Sequence, residues 1–287
     1  MDFLANLSWF PYSIGSMLLL AISIVFYKRP AQRGESVLAT NFWMFVFFSL
    51  LSLVFFHNYF GLTNKTVLLL GALWGVSFAA LASFQMYALH HIDTNSLFPV
   101  TSTLSLVASV GAALLLFGER FSSLQAAGVV LTILTVYLFL YKGGHLQYSK
   151  HILLVGLAVI FFSASNKIIQ KFAVGGGDIH VFQIYMYLFG LLGTFLLLAV
   201  VERARLKSVI SSGIRSGLYI AVPGFLGGYL SLIAFTKGPF ALVVSIGAFY
   251  TVVISLIGWM FFKEQLTKRK VFLIGLAIVA VLLIRLG

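Results

Sequence analysis

Ten apolar runs, each near the length that crosses a bilayer and joined by short polar loops, dominate this sequence. A spanning helix needs about 20 mostly apolar residues. By that ruler the spans fall, within a few residues at each end, at 10–27, 37–56, 67–89, 96–117, 124–141, 152–172, 181–201, 217–235, 241–262 and 271–286. Lipid cannot satisfy exposed backbone N–H and C=O groups, so the spans are helices. Hydrophobic residues make up 61% of the chain and charged residues 9%, against roughly a quarter charged in a soluble domain. The expected fold class is an all-α integral membrane protein. This also redirects the net charge of +12: the Lys and Arg residues lie in loops at headgroup level, so their expected partner is the lipid bilayer and not nucleic acid. The absence of Cys removes disulfides and thiolate metal sites. The start, MDFLANLSWFPYS, lacks the basic stretch and small-residue cleavage site of a signal peptide, so the first run is expected to be a retained span. The loops, at most about fifteen residues, are too short for a soluble domain.

Two stretches repeat one another. TNSLFPVTSTLSLVASVGAALLLFGERF, at 94–121, stops at Glu119; FALVVSIGAFYTVVISLIGWMFFKEQL, at 240–266, stops at Glu264; and each is followed at once by another span. Residues 23–56 also lie over 166–199, placing Lys28 on Lys171, Gly34 on Gly177 and Glu35 on Asp178. The units are expected at 1–146 and 147–287. Each holds an odd number of spans, five, so the second enters the membrane from the opposite side. Two inverted five-helix repeats follow, an arrangement that puts a transporter's binding site near the midplane at the repeat interface. Of the 19 Lys and Arg residues, 13 fall on the side away from the termini and 6 on the side with them, which predicts termini outside the cell.

The pattern Gly118-Glu119-Arg120 followed by Ser122, Gln125 and Gly128, its counterpart Glu264, Leu266 and Thr267, and the pair Asn166 and Lys171 resemble the drug/metabolite transporter superfamily, in its EamA-like ten-helix branch. The second half departs from that pattern, with Lys263 before the glutamate and Leu273 where Gly is usual, and the first span lacks a Trp-Gly pair. The resemblance implies a transporter whose cavity is lined mainly by the first, third, fourth, sixth, eighth and ninth spans. It also implies cytoplasmic termini, against the charge count.

The seven acidic residues all fall at span ends or in loops, whereas proton relays and organic-cation sites need a carboxylate at depth. Glu119 and Glu264 read as caps on the helices that follow them, or as gating residues. Lys167, after Ser163, Ser165 and Asn166, either draws a substrate anion into the cavity or snorkels to the interface. Trp74 and Gln85 share one stripe with Ser77 and Leu81. With Asn166, Lys167, Tyr229 and Tyr250 they form the candidate substrate-binding set, although polar residues in spans also serve helix–helix contacts and Tyr and Trp serve the interfacial belt. Pro99 and Pro223 would bend their spans and act as hinges. His90-His91 beside Asp93 lacks further ligands for a metal.

The expected function is secondary transport of a small polar metabolite, an amino acid or similar zwitterionic or uncharged solute, by alternating access across the cell membrane. The alternatives are an anionic solute such as a sugar phosphate or nucleotide sugar, and a passive channel or scramblase. No catalytic residues, cofactor or metal are expected, no phosphate-binding GxxxxGK[ST] loop occurs, and the chain is read as a monomer or homodimer.

Overall fold

A computed structural model describes residues 8–61, 65–90, 94–140, 150–262 and 268–286. Glu264, His91, Asp93 and the junction of the two halves at 141–149 lie outside the described residues, as does the side chain of Pro99. The ten spans are α1 (Phe10–Val25), α2 (Val37–Phe56), α3 (Lys65–Leu89), α4 (Thr94–Leu116), α5 (Ser123–Leu140), α6 (Lys150–Gly176), α7 (Ile179–Val201), α8 (Ile214–Lys237), α9 (Phe240–Ala248 and Tyr250–Phe262) and α10 (Lys268–Leu286). No strand occurs among the described residues. Among the described residues six helices are long and apolar enough to cross a membrane, and four shorter apolar helices complete the ten. Their outer faces carry bare hydrophobics, Leu115 at 86% exposed and Val200 at 75% among them, a surface suited to lipid and not to water.

Helix ends follow local chemistry. Pro11 starts α1, where its missing N–H costs nothing. The Ser36 hydroxyl accepts from Ala39 N–H to open α2, and one Asp178 oxygen accepts from the N–H groups of His180 and Val181 to open α7. Ser122 and Gln125 cap α5 reciprocally: the hydroxyl takes the Gln125 N–H and the Gln125 amide oxygen takes the Ser122 N–H. The stretch after α7 folds into short turns at Arg203–Arg205, Leu206–Val209 and Ile210–Gly213.

The packing is symmetric under exchange of the repeats. α1 lies on α8 as α6 lies on α3; α3 lies on α7 as α8 lies on α2; α1 lies on α9 as α6 lies on α4. The pairs α2–α7, α4–α9 and α5–α10 map onto themselves, as contacts on a two-fold axis must. The protein is therefore an all-α membrane protein of ten spanning helices in two inverted repeats. Glycine permits a close crossing of α1 and α8, where a Cβ on Gly227 would stand 3.0 Å from Leu20 Cγ and 3.1 Å from the Leu20 backbone nitrogen.

Candidate functional site

A cavity of about 190 Å³ lies between the repeats. At about 30 Å³ per water that is room for roughly six waters, and so for a small solute. The repeat register places the same four positions of α1 and α6 on its wall: Leu20, Ser23, Ile24 and Tyr27 from α1, and Ser163, Asn166, Lys167 and Gln170 from α6. α3 and α8 repeat this on a second spacing. Trp74, Phe78, Leu81 and Gln85 face Gly224, Gly228, Ser231 and Phe235, each set at i, i+4, i+7 and i+11. Phe48 from α2, Met186 and Tyr187 from α7, and Val243, Val244, Gly247 and Tyr250 from α9 complete the lining near the repeat axis.

Depth follows from helix geometry. Phe48, Trp74, Lys167, Tyr187, Gly228 and Tyr250 lie eight to ten residues from the helix ends at Phe56, Lys65, Gly176, Ile179, Lys237 and Phe240. At 1.5 Å per residue this puts them about 12–15 Å from the face that carries the termini, near the middle of a hydrocarbon core of about 30 Å.

The lining is mostly apolar, and its polar atoms divide into two groups. On α1 the hydroxyls are committed: Ser16 donates to the Gly227 carbonyl and Ser23 to the Ile220 carbonyl, both at 2.8 Å. These acceptors flank Pro223, which sits inside α8 and, having no N–H, leaves the Tyr219 carbonyl without its intrahelical bond. On α6 one amide is left without a protein partner. Both amide atoms of Asn166, 5% exposed, lack a partner, as does the indole nitrogen of Trp74, 4% exposed. Lys167 Nζ donates to Ser105 Oγ at 3.3 Å, and that oxygen donates to Ser163 Oγ at 3.0 Å. Among the described residues Lys167 is the one basic residue of the lining, and none of them there is acidic. Aromatic rings stand at the same depth, Trp74 stacked on Phe78 at 4.6 Å and Phe48 on Tyr187 at 4.5 Å. α9 breaks beside the cavity, between Ala248 and Tyr250. There Phe249 N–H turns back to the Ile246 carbonyl, Val252 N–H takes the Phe249 carbonyl, and the Thr251 hydroxyl takes the Ala248 carbonyl left over. An interrupted helix at mid-membrane depth is tolerated where it borders protein or a cavity.

The sequence matches the EamA-like transporter family twice, over residues 7–141 and over residues 150–286. The chain belongs to that family. It is a multi-pass membrane transporter of the drug/metabolite type, a family of transporters and generally not of enzymes. One solved crystal structure aligns with 93% of this EamA-like chain over 97% of its own length, at 13% identity and a TM-score of 0.70, a likeness of fold alone. No curated protein matches the sequence.

Within this EamA-like transporter, Trp74, Gln85, Asn166, Lys167 and Tyr250 come together on the cavity wall. Lys167 does not snorkel, for its nitrogen is held at Ser105, well inside the span. Tyr229 is not on that wall; its hydroxyl meets His180 Nε2 at 3.0 Å near the face of the termini. Spacing alone missed this because Tyr229 follows Gly228 and points one residue around the helix. Lining residues that sequence reasoning did not single out include Ser16, Ser23, Tyr27, Phe48, Phe78 and Gln170. The register of residue 23 over 166 carried the signal for three of them. Glu119 caps a helix, but not the one that follows it. Its two carboxylate oxygens accept the N–H groups of Phe240 and Ala241, opening α9 in the other repeat, while Ser122 serves α5. Lys171 donates to the Phe235 and Gly238 carbonyls at the end of α8, so the short turn from α8 to α9 is held from both sides.

Proposed function

We propose that this protein is a secondary transporter that moves a small carboxylate-bearing solute, an amino acid or similar zwitterion, across the cell membrane by alternating access. The observation that carries the reading is Lys167: one ammonium at mid-membrane depth, without an acidic partner, beside the unpartnered amide of Asn166. An unpaired cation and an unpaired amide in an apolar cavity are costly when empty. A ligand carboxylate would satisfy both with charge-assisted hydrogen bonds. The rings of Phe48, Trp74, Phe78 and Tyr187 suit the apolar part of such a solute and offer faces to its ammonium. A phosphate-bearing solute fits less well, since it calls for two or more basic groups and Lys171 is engaged by carbonyls outside the lining. Two units, 1–146 and 147–287, rocking about the shared cavity would expose it to each side in turn.

A thermal-shift screen of amino acids, nucleosides, sugar phosphates and choline-like amines tests the ligand class. A ligand at a hundred times its Kd adds about 2.7 kcal/mol of stability, so amino acids should raise Tm by several degrees. A shift with sugar phosphates alone would overturn the assignment. Counterflow in proteoliposomes tests the mechanism: preloaded unlabelled amino acid should drive transient accumulation of label, which a passive channel cannot do.

A further inference from the structure

His180 sits away from the cavity, at the rim of the face that carries the termini, and draws together parts of both repeats. Its Nδ1 lies 2.9 Å from Asp178 Oδ1, the same oxygen that caps α7. Its Nε2 lies 3.0 Å from the hydroxyl of Tyr229 on α8. The other repeat supplies the walls: Tyr59, just past the end of α2, stacks on the imidazole at 4.4 Å, and Phe56 leans on it at 4.9 Å. The His180 side chain is 22% exposed and that of Asp178 46%, so water reaches the pair. The other ionisable groups around it are few. Tyr12 of α1 lies within electrostatic reach of Tyr229 and carries the Lys237 ammonium 4.6 Å above its ring. His57 at the end of α2 is turned to the Val54 carbonyl, Lys171 of α6 to the carbonyls of α8, and Lys65 starts α3 on the same face.

We propose that His180 is a proton-binding site through which the pH on the face of the termini controls the contact between the two repeats, making transport proton-linked. The proposal rests on the alternating-access reading above. The neutral ring donates from one nitrogen to Asp178 and accepts the Tyr229 hydroxyl on the other. Adding a proton turns the second nitrogen into a donor and puts a full positive charge between the Asp178 carboxylate and the Tyr59 ring face. Both changes strengthen the arrangement seen here, in which the end of α2 rests against α7 and α8. Opening this face would part Tyr59 and Phe56 from the ring and leave the imidazolium with less support. The sign follows: the charged ring gains partners in the contact state, so protonation favours contact. That bias is present when the proton is bound and lost when it leaves.

The chain contains no Cys, so Asn58→Cys and Gly175→Cys give two unique label sites on the ends of α2 and α6. Both positions are exposed, and a Cβ at Gly175 meets nothing within 4 Å. Spin-label distances between them are measured from pH 5 to pH 8, with and without an equimolar mixture of L-amino acids. The short-distance population is expected to dominate at pH 5 and to fall severalfold by pH 8. His180→Gln should abolish that dependence. Asp178→Asn, which keeps the helix cap, should weaken it. A pH response unchanged in His180→Gln and Asp178→Asn, or distances that answer to amino acids but not to pH, would overturn the proton site and leave the transport reading standing. One distance under every condition would overturn both.

Discussion

α1 and α6 occupy equivalent places in the two repeats and present the same four positions to the cavity, yet they do different work. Leu20, Ser23, Ile24 and Tyr27 give an apolar wall whose Ser23 hydroxyl is spent on a carbonyl of α8. Ser163, Asn166, Lys167 and Gln170 give a polar wall, with an ammonium and an amide that has no partner at all. The duplicated backbone supplies the shape of the cavity, and divergence at matched positions supplies its chemistry. α3 and α8 divide the labour in the reverse sense. Trp74 and Phe78 fill one side with rings, whereas Gly224 and Gly228 of α8 let other side chains close in: a Cβ would stand 3.0 Å from Ser23 Oγ at the first and 3.0 Å from the Tyr187 hydroxyl at the second. A solute with a carboxylate at one end and apolar bulk at the other matches that asymmetry.

The matched pair Ile24 and Lys167 should give the largest effect. Lys167→Met removes the cavity's cation. A hydrogen bond to a charged group contributes about 1.5–3 kcal/mol, so affinity for a carboxylate ligand should fall by about 10- to 100-fold, read by titration of thermal shift. The empty protein should melt at the same temperature or higher, because the ammonium has no acidic partner to lose. Ile24→Met should leave affinity within about threefold, since a buried aliphatic swap of similar volume costs little. The sharper variant exchanges the two residues, Ile24→Lys with Lys167→Ile. If the walls differ only in which one bears the charge, part of the affinity returns. If Asn166 and Ser105 must accompany the cation, none does.

Much of this fold was legible before the structure, for physical reasons that can be named. Lipid forces every spanning segment to be a helix of about the bilayer's width, so apolar runs translate almost directly into elements: the run at 37–56 is α2 (Val37–Phe56). The stripe through Trp74, Leu81 and Gln85 was legible because helical period fixes which residues share a face. What stayed hidden depends on contacts distant in sequence. Glu119 reads as a cap for α5, four residues on, but serves α9, 121 residues away, because the repeat axis brings that helix start alongside. Tyr229 reads as a cavity residue because its neighbour Gly228 is one; only the position of His180 shows where its hydroxyl goes. The break at Phe249 has no proline to announce it, and Gly247 is a weak marker among many glycines.

The matched pair Ser23 and Asn166 should separate in sign, with effects near 1 kcal/mol. Ser23→Ala removes a hydroxyl bonded at 2.8 Å to Ile220, so the empty protein should lose about 1 kcal/mol and ligand affinity should hardly change. Asn166→Leu removes an amide with neither donor nor acceptor satisfied. The empty protein should gain stability, because a buried polar group without partners is worse than an apolar one of like shape, while affinity should fall about tenfold. Equal losses of stability in both variants would mean that Asn166 has a partner in the membrane and that the walls are alike.

The smallest effect belongs to Tyr27 and Gln170, the last matched positions. Among the described residues the Tyr27 hydroxyl reaches Met44 Sδ, at 3.9 Å, and a thioether is a weak acceptor. Tyr27→Phe should therefore move neither Tm by more than about a degree nor affinity by more than about twofold, the ordinary range for a change that breaks no strong contact. Gln170, 8% exposed, keeps an amide on the polar wall one turn from Asn166 and Lys167. Gln170→Met conserves length and apolar packing, so any loss reports the amide alone. A two- to fivefold drop in affinity, about 0.4–1 kcal/mol, with unchanged Tm is expected if the solute's polar end spans more than one turn of α6. Indifference at Gln170 together with a tenfold loss at Asn166 would confine the recognition of charge to the single turn that holds Asn166 and Lys167, and would turn the ligand's bulk toward the rings of α2, α3 and α7.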